Sequence, residues 1–147
     1  MSNFRTLRGK VPVSASSYTE RSLILDDGLI NQGYRVEFFT IWYDDPDAVQ
    51  ENSRFYGILA TKPVPASDRV MDAADNRQIA WSMFDENLNS RDIIDPDHIV
   101  NRDLNLMVRT AGVDVGFVNY IIYLRKQTLT DNEAILTIVK EESQSID

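Results

Sequence analysis

The sequence predicts a mainly β protein, an antiparallel β-sandwich of jelly-roll-like form with one C-terminal α-helix. Three observations predict it. Apolar and polar residues alternate in short segments along most of the chain, and Asp, Asn, Gly, Pro and Ser cluster between those segments. Only beyond residue 129 does the apolar period change to that of a helix. The chain has 147 residues, of which 43% are hydrophobic and 26% charged, enough to bury one core without metal or disulfide support. One domain is expected. Residues 1–17 read as an extended N-terminal arm or edge strand, 18–129 as the sandwich, and 130–147 as a helix and tail of the same domain.

The first apolar stretch, FRTLRGKVPV, carries Pro12, which cannot donate to a central ladder and so belongs at a sheet edge or in an arm. Ser14 to Ser17 read as a loop. ERSLILDDGLINQGYRVEFFTIWY then reads as strand, turn, strand, with Asp26-Asp27-Gly28 supplying the turn. Strict alternation puts Val36, Phe38 and Trp42 on one face of the second strand and Phe39, Ile41 and Tyr43 on the other, so both faces need cover. DDPDAVQENSR is a turn before the strand FYGILAT. KPVPASDRVMDAAD is a long loop whose two prolines favour an extended surface path.

NRQIAWSMF alternates Ile79, Trp81 and Met83 against Gln78, Ala80 and Ser82. HIVNRDLNLMVRT is the cleanest alternating segment, with Val100, Leu104, Leu106 and Val108 on a core face. Asn101, Asp103, Asn105 and Arg109 lie on a face expected to be wet. AGVDVG is a turn, and FVNYIIYLRKQTL is a long β-branched and aromatic strand suited to a sheet interior. Thr130 and Glu133 form a capping box, after which Ala134, Ile135, Ile138 and Val139 make an apolar helical stripe. The layout is roughly seven to nine strands in two sheets.

Composition narrows function mainly by exclusion. With no cysteine, a disulfide framework, a thiolate metal site and a cysteine nucleophile are all excluded. A net charge of −8 opposes direct nucleic-acid binding by the acidic body. Before residue 22, however, the charged groups are Arg5, Arg8, Lys10, Glu20 and Arg21, a locally basic arm fit to meet an acidic neighbour. No apolar run approaches the ~20 residues of a membrane span, and no secretory signal is evident at the start.

The stretch DIIDPDHIVNRDL holds the single histidine, His98, among Asp92, Asp95, Asp97 and Asp103. Strand parity sets His98 apart from Asp97 and Asp103, and Ile99 and Val100 stand where a calcium loop needs oxygen and glycine. Asp95-Pro96-Asp97 is good turn chemistry. No phosphate loop, dinucleotide fingerprint, nucleophile elbow or zincin helix occurs. Paired carboxylates such as Asp44-Asp45, Asp72 with Asp75, and Asp85-Glu86 could serve as the acid and base of a glycosidase. Aromatic side chains including Trp42, Tyr43, Tyr56, Trp81 and Tyr120 offer a sugar-stacking platform if exposed.

LRGKVPV, LDDGLINQGYRVEFF, DNRQIAW, DPDHIVNRDL and LTDNEAILTIVKEESQ together resemble small, largely uncharacterised proteins of bacteriophages and environmental viral genomes, regarded as virion structural components. The resemblance implies assembly rather than catalysis, a virion location, and no cofactor, metal or catalytic residues. The expected function is therefore a non-enzymatic capsid or capsid-decorating subunit that associates with itself or with other virion proteins. The interface candidates are Phe4, Arg5, Leu7, Arg8, Lys10, Trp42 and Tyr43. A carbohydrate-binding adhesion module is the alternative, and a small glycosidase or other hydrolase the third reading.

Overall fold

The fold was analysed in a computed structural model that describes residues 4–13, 18–25, 32–45, 47, 53–64, 71–85, 87, 89–100, 103–111, 116–128 and 136. The described residues form eight strands: β1 (Phe4–Val13), β2 (Thr19–Ile24), β3 (Gln32–Tyr43), β4 (Arg54–Ala60), β5 (Gln78–Asp85), β6 (Ser90–Ile94), β7 (Asp103–Thr110) and β8 (Gly116–Thr128). They make two antiparallel sheets, one ordered β1-β8-β3 and the other β2-β7-β4-β5-β6. The expected helix after Thr130, Leu136 apart, lies outside the described residues, as do the Ser14–Ser17 loop and the Asp26-Asp27-Gly28 turn.

The ladders nest: β1 pairs with β8, β2 with β7, and β4 with β5. β1, β2 and β4 thus find partners at the mirrored place in the chain, whereas β3 pairs with β8. β3 and β6 lie in different sheets but are joined by Thr40 Oγ1, which donates to Asp92 Oδ1 at 3.1 Å. Within the larger sheet β7-β4-β5-β6 is a Greek key, the fourth strand returning beside the first. β2 and β3 lie in opposite sheets, β2 paired with β7 and β3 with β8.

Between the sheets lies a core of Val36, Phe39, Ile41 and Tyr43 from β3, Phe55 and Leu59 from β4, Leu104, Leu106 and Val108 from β7, and Val118, Tyr120, Ile122 and Leu124 from β8. Phe55 stacks on Phe84 at 4.3 Å between centroids and meets Tyr43 at 4.9 Å. Gly57 allows the sheets to close, since a Cβ there would lie 3.1 Å from Ile41 and 3.2 Å from Phe39. Gly116 has φ +139°, and a Cβ on it would sit 2.8 Å from the Tyr43 hydroxyl.

Polar ties close both sides of the sandwich. On one side Arg21 Nη1 of β2 donates to the Lys10 carbonyl of β1 at 2.8 Å, and Arg5 Nη1 donates to the Leu25 carbonyl at 3.4 Å. On the other, the free edge of β3 is capped by a buried serine: Ser82 Oγ accepts the Ile41 N–H at 3.2 Å and donates to Asp92 Oδ1 at 2.5 Å. An uncapped edge would offer that N–H to another chain.

Two expectations about exposure reverse. The supposed wet face of β7 is largely buried, with Asn105 4% and Met107 0% exposed. β7 is an interior strand between β2 and β4, and its outer side is roofed by a second apolar cluster of Ile58, Ala60, Val64 and Met107 with Tyr18, Met71 and Trp81 packed on it. Val64 and Met71, from the two described ends of the β4–β5 connection, pack on the sheet. Conversely β3 is covered once, not twice. A β-bulge between Val36 and Phe38 turns Val36 inward with Phe39 and leaves Phe38 and Trp42 outside.

Candidate functional site

The outer face of the three-stranded sheet is the exposed surface where aromatic and cationic side chains converge. Strand alternation and register generate it directly. Along β8, Phe117, Asn119, Ile121, Tyr123 and Arg125 take one parity, while Val118, Tyr120, Ile122 and Leu124 take the core parity. Pairing then sets Pro12 beside Phe117, Lys10 and Trp42 on either side of Asn119, and Arg8 and Thr40 on either side of Ile121. Thr6 and Phe38 flank Tyr123, and Phe4 and Arg35 flank Arg125.

Large apolar side chains stay in solvent on this face. Phe4 is 52% exposed, Trp42 44%, Tyr123 42%, Phe117 40% and Phe38 36%. They are ordered against one another and against cations: Phe38 stacks on Tyr123 at 5.1 Å, Lys10 Nζ lies 4.7 Å from the Phe117 ring, and the Arg125 guanidinium 5.1 Å from the Phe4 ring. Each cation–π contact at such exposed positions contributes about 0.5–1 kcal/mol. Arg125 Nε also donates to Glu37 Oε1 at 2.7 Å. Among the described residues, Arg8, Lys10, Arg35 and Arg125 thus stand on this face with Glu37, and the exposed Asp44 borders it beside Phe117, so the face is cationic on a chain of net charge −8.

The structure divides the interface candidates. Phe4, Arg8, Lys10 and Trp42 share this face. Arg5, Leu7 and Tyr43 take the opposite parity: Arg5 is held by the Leu25 carbonyl over the Tyr34 ring, Leu7 packs on the core, and Tyr43 is 5% exposed. Phe38, Phe117, Tyr123 and Arg125 complete the surface and were missed. For the β8 residues the signal was present, because from Phe117 to Arg125 one parity of that strand is wholly apolar and the other mixed. Phe38 shares the parity of Trp42, opposite Phe39, Ile41 and Tyr43.

The other constellations resolve into structural work. Trp42 and Trp81 lie on different sheets and share no platform; Trp81 Nε1 donates to Gln78 Oε1 at 2.7 Å. Asp95 accepts the Asp97 N–H at 3.1 Å and its own N–H donates to the Ile79 carbonyl, so DPD is a turn. The connection then crosses to the other sheet, where Val100 and Tyr34 exchange backbone bonds of 2.8 Å each. His98 is half-buried in that crossing. Among the described residues no three His, Asp or Glu side chains come together as a metal site.

Of the paired carboxylates, Asp75 is held in a two-pronged ion pair, accepting from Arg77 Nε and Nη2 at 2.8 Å each. That hydrogen bond pulls its pKa below the ordinary carboxylate value, against the opposing effect of burial. Asp72 accepts the Ala74 N–H, and Asp85 accepts those of Asn87 and Asn89. These carboxylates shape turns. Among the described residues no helix is long and apolar enough to cross a membrane. In comparisons with protein-family models and with curated proteins, the chain matches none.

Proposed function

We propose that the chain is a non-enzymatic structural subunit of a virion, a jelly-roll domain of the capsid or of its decoration, which assembles through the outer face of its three-stranded sheet. The observation that carries this reading is that face: a contiguous aromatic surface interleaved with Arg8, Lys10, Arg35 and Arg125. Large exposed aromatic patches on a folded domain mark interaction surfaces, and Tyr, Trp, Phe and Arg are the side chains enriched at them. The nested pairing of β1 with β8, β2 with β7 and β4 with β5 supports the jelly-roll form, which serves in viral capsid and lectin domains alike.

Charge selects the occupant. Two copies of this face set against each other would oppose cation to cation, so a two-fold contact through it is disfavoured. A second copy presenting acidic loops, such as the exposed Asp44, Asp45 and Asp47, is complementary. The contact is then heterologous and can repeat, as a shell or a decorating layer requires. Light scattering on the full chain tests this: concentration-dependent association that weakens as salt rises is expected. A monomer at every concentration and ionic strength would overturn it.

A carbohydrate-binding module is the second reading, and the exposure of Trp42 on the same face favours it. Saturable binding on a glycan array, lost in Trp42→Ala without change in oligomeric state, would place this reading first.

A further inference from the structure

A second surface feature lies on the opposite side of the molecule, where the roof over the five-stranded sheet stops. An open groove of about 530 Å3 runs across the outer face of β4, β5 and β6. Register builds it: Tyr56 of β4 stands beside Met83 of β5, which stands beside Arg91 of β6, and one pair further along Arg54 stands beside Asp85. Tyr56 and Met83 make a half-buried floor, Arg54 and Arg91 rise exposed at its margins, and Ser90 adds a hydroxyl.

Unused positive charge is the notable property of this groove. Among the described residues, neither the Arg54 nor the Arg91 guanidinium has an ion-pair or hydrogen-bond partner. Asp85, the one carboxylate among the described lining residues, is turned to its own hairpin, where it accepts the Asn87 and Asn89 N–H groups at 2.9 and 3.2 Å. A third arginine adjoins the floor: Arg109, paired with Tyr56 across the ladder, is clamped 5.0 Å from the Tyr18 ring and 5.5 Å from the Tyr56 ring. Its Nε is buried and makes no hydrogen bond.

The geometry points to a binding site for a monoanionic small molecule that carries one carboxylate on a compact ring, the chemistry of an acidic sugar. Two planar guanidinium groups suit bidentate contact with a carboxylate. Among the described lining residues Asp85 leaves one net positive charge, which suits a single anionic group better than a multiply charged phosphate. The tyrosine and methionine floor takes the apolar face of a ring, and the volume falls within the usual range of small-ligand sites, about 300–1,000 Å3. The site is independent of the assembly face, being on the other sheet, so either can fail alone.

The test is an NMR titration of the full-length chain that follows the arginine Nε–H signals, using D-glucuronate, D-glucose, inorganic phosphate and a short aspartate-rich peptide as probes. Saturable shifts at Arg54 and Arg91 are expected with glucuronate, with glucose and phosphate at least about tenfold weaker. The double variant Arg54→Gln/Arg91→Gln, both positions exposed, should keep its thermal transition and lose glucuronate affinity about tenfold or more. The proposal is overturned by no saturable shift up to about 50 mM glucuronate, by glucose or phosphate binding equally well, or by the peptide binding where glucuronate does not.

Discussion

Phe38 and Tyr123 face each other across the β3–β8 ladder on the open side of the three-stranded sheet, ring centroids 5.1 Å apart and planes inclined by 29°. The pair exists because Glu37 is the extra residue of a bulge: Val36 pairs with Leu124 and Phe38 already with Tyr123. The bulge lets Val36 and Phe39 both enter the core and sends Phe38 out to meet Tyr123. Glu37, thrown out of the ladder, reaches Arg125.

Replacing Trp42 and Tyr123 by serine removes apolar contact area from this face without opening the core. Association measured by analytical ultracentrifugation should weaken by at least about tenfold, while folding stability changes by no more than about 1 kcal/mol. Wild-type association in the double variant would exclude the face as the contact.

Phe55 is fully buried between Phe84 and Tyr43. Phe55→Ala should cost about 3–5 kcal/mol in urea denaturation, and Phe55→Leu distinctly less, because the leucine refills part of the cavity.

At Gly116 conformation and space act together. Gly116→Ala places a Cβ at φ +139° against the Tyr43 hydroxyl, 2.8 Å away, and should destabilise by about 1–3 kcal/mol. Adding Tyr43→Phe removes the hydroxyl but not the backbone strain, so a double-mutant cycle should recover only part of the loss.

The Asp75–Arg77 pair, with side chains only 10% and 8% exposed, couples stability to acid. Asp75 has its folded pKa lowered from 3.8 by the Arg77 hydrogen bond. Its contribution is therefore complete above that unfolded value and is lost as pH falls through the lower folded one. Thermal transitions recorded downward from about pH 5 should fall more steeply in the wild type than in Asp75→Asn. Near neutral pH the variant should be less stable by about 1–3 kcal/mol, since the buried Arg77 loses the charge-assisted hydrogen bonds to the Asp75 carboxylate.

How far the fold could be read differs by element. The strands of β1, β3, β5, β7 and β8 are legible because alternation and turn residues mark them, and Asp95-Pro96-Asp97 is legible as a turn because its chemistry is local. Pairing is not local. Nothing in ERSLILDDGLINQGYRVEFF distinguishes a hairpin from two strands sent to opposite sheets, since that choice depends on β7 and β8, far along the chain. Exposure was misread for the same reason. Asn105 and Met107 look like a wet face until Val64 and Met71 fold over their side of the sheet, and Trp42 looks buried until the sheets pack through the opposite parity of Phe39, Ile41 and Tyr43.

The sequence by itself determined a β protein with no cysteine chemistry, an acidic body, a basic first strand and an alternating apolar code strong enough to build two layers. Only the tertiary structure decided which of those apolar residues face water, and so where the candidate surfaces lie. The reason is physical: alternation assigns side chains to two faces of a strand, but which face is covered depends on neighbours brought together from distant parts of the chain.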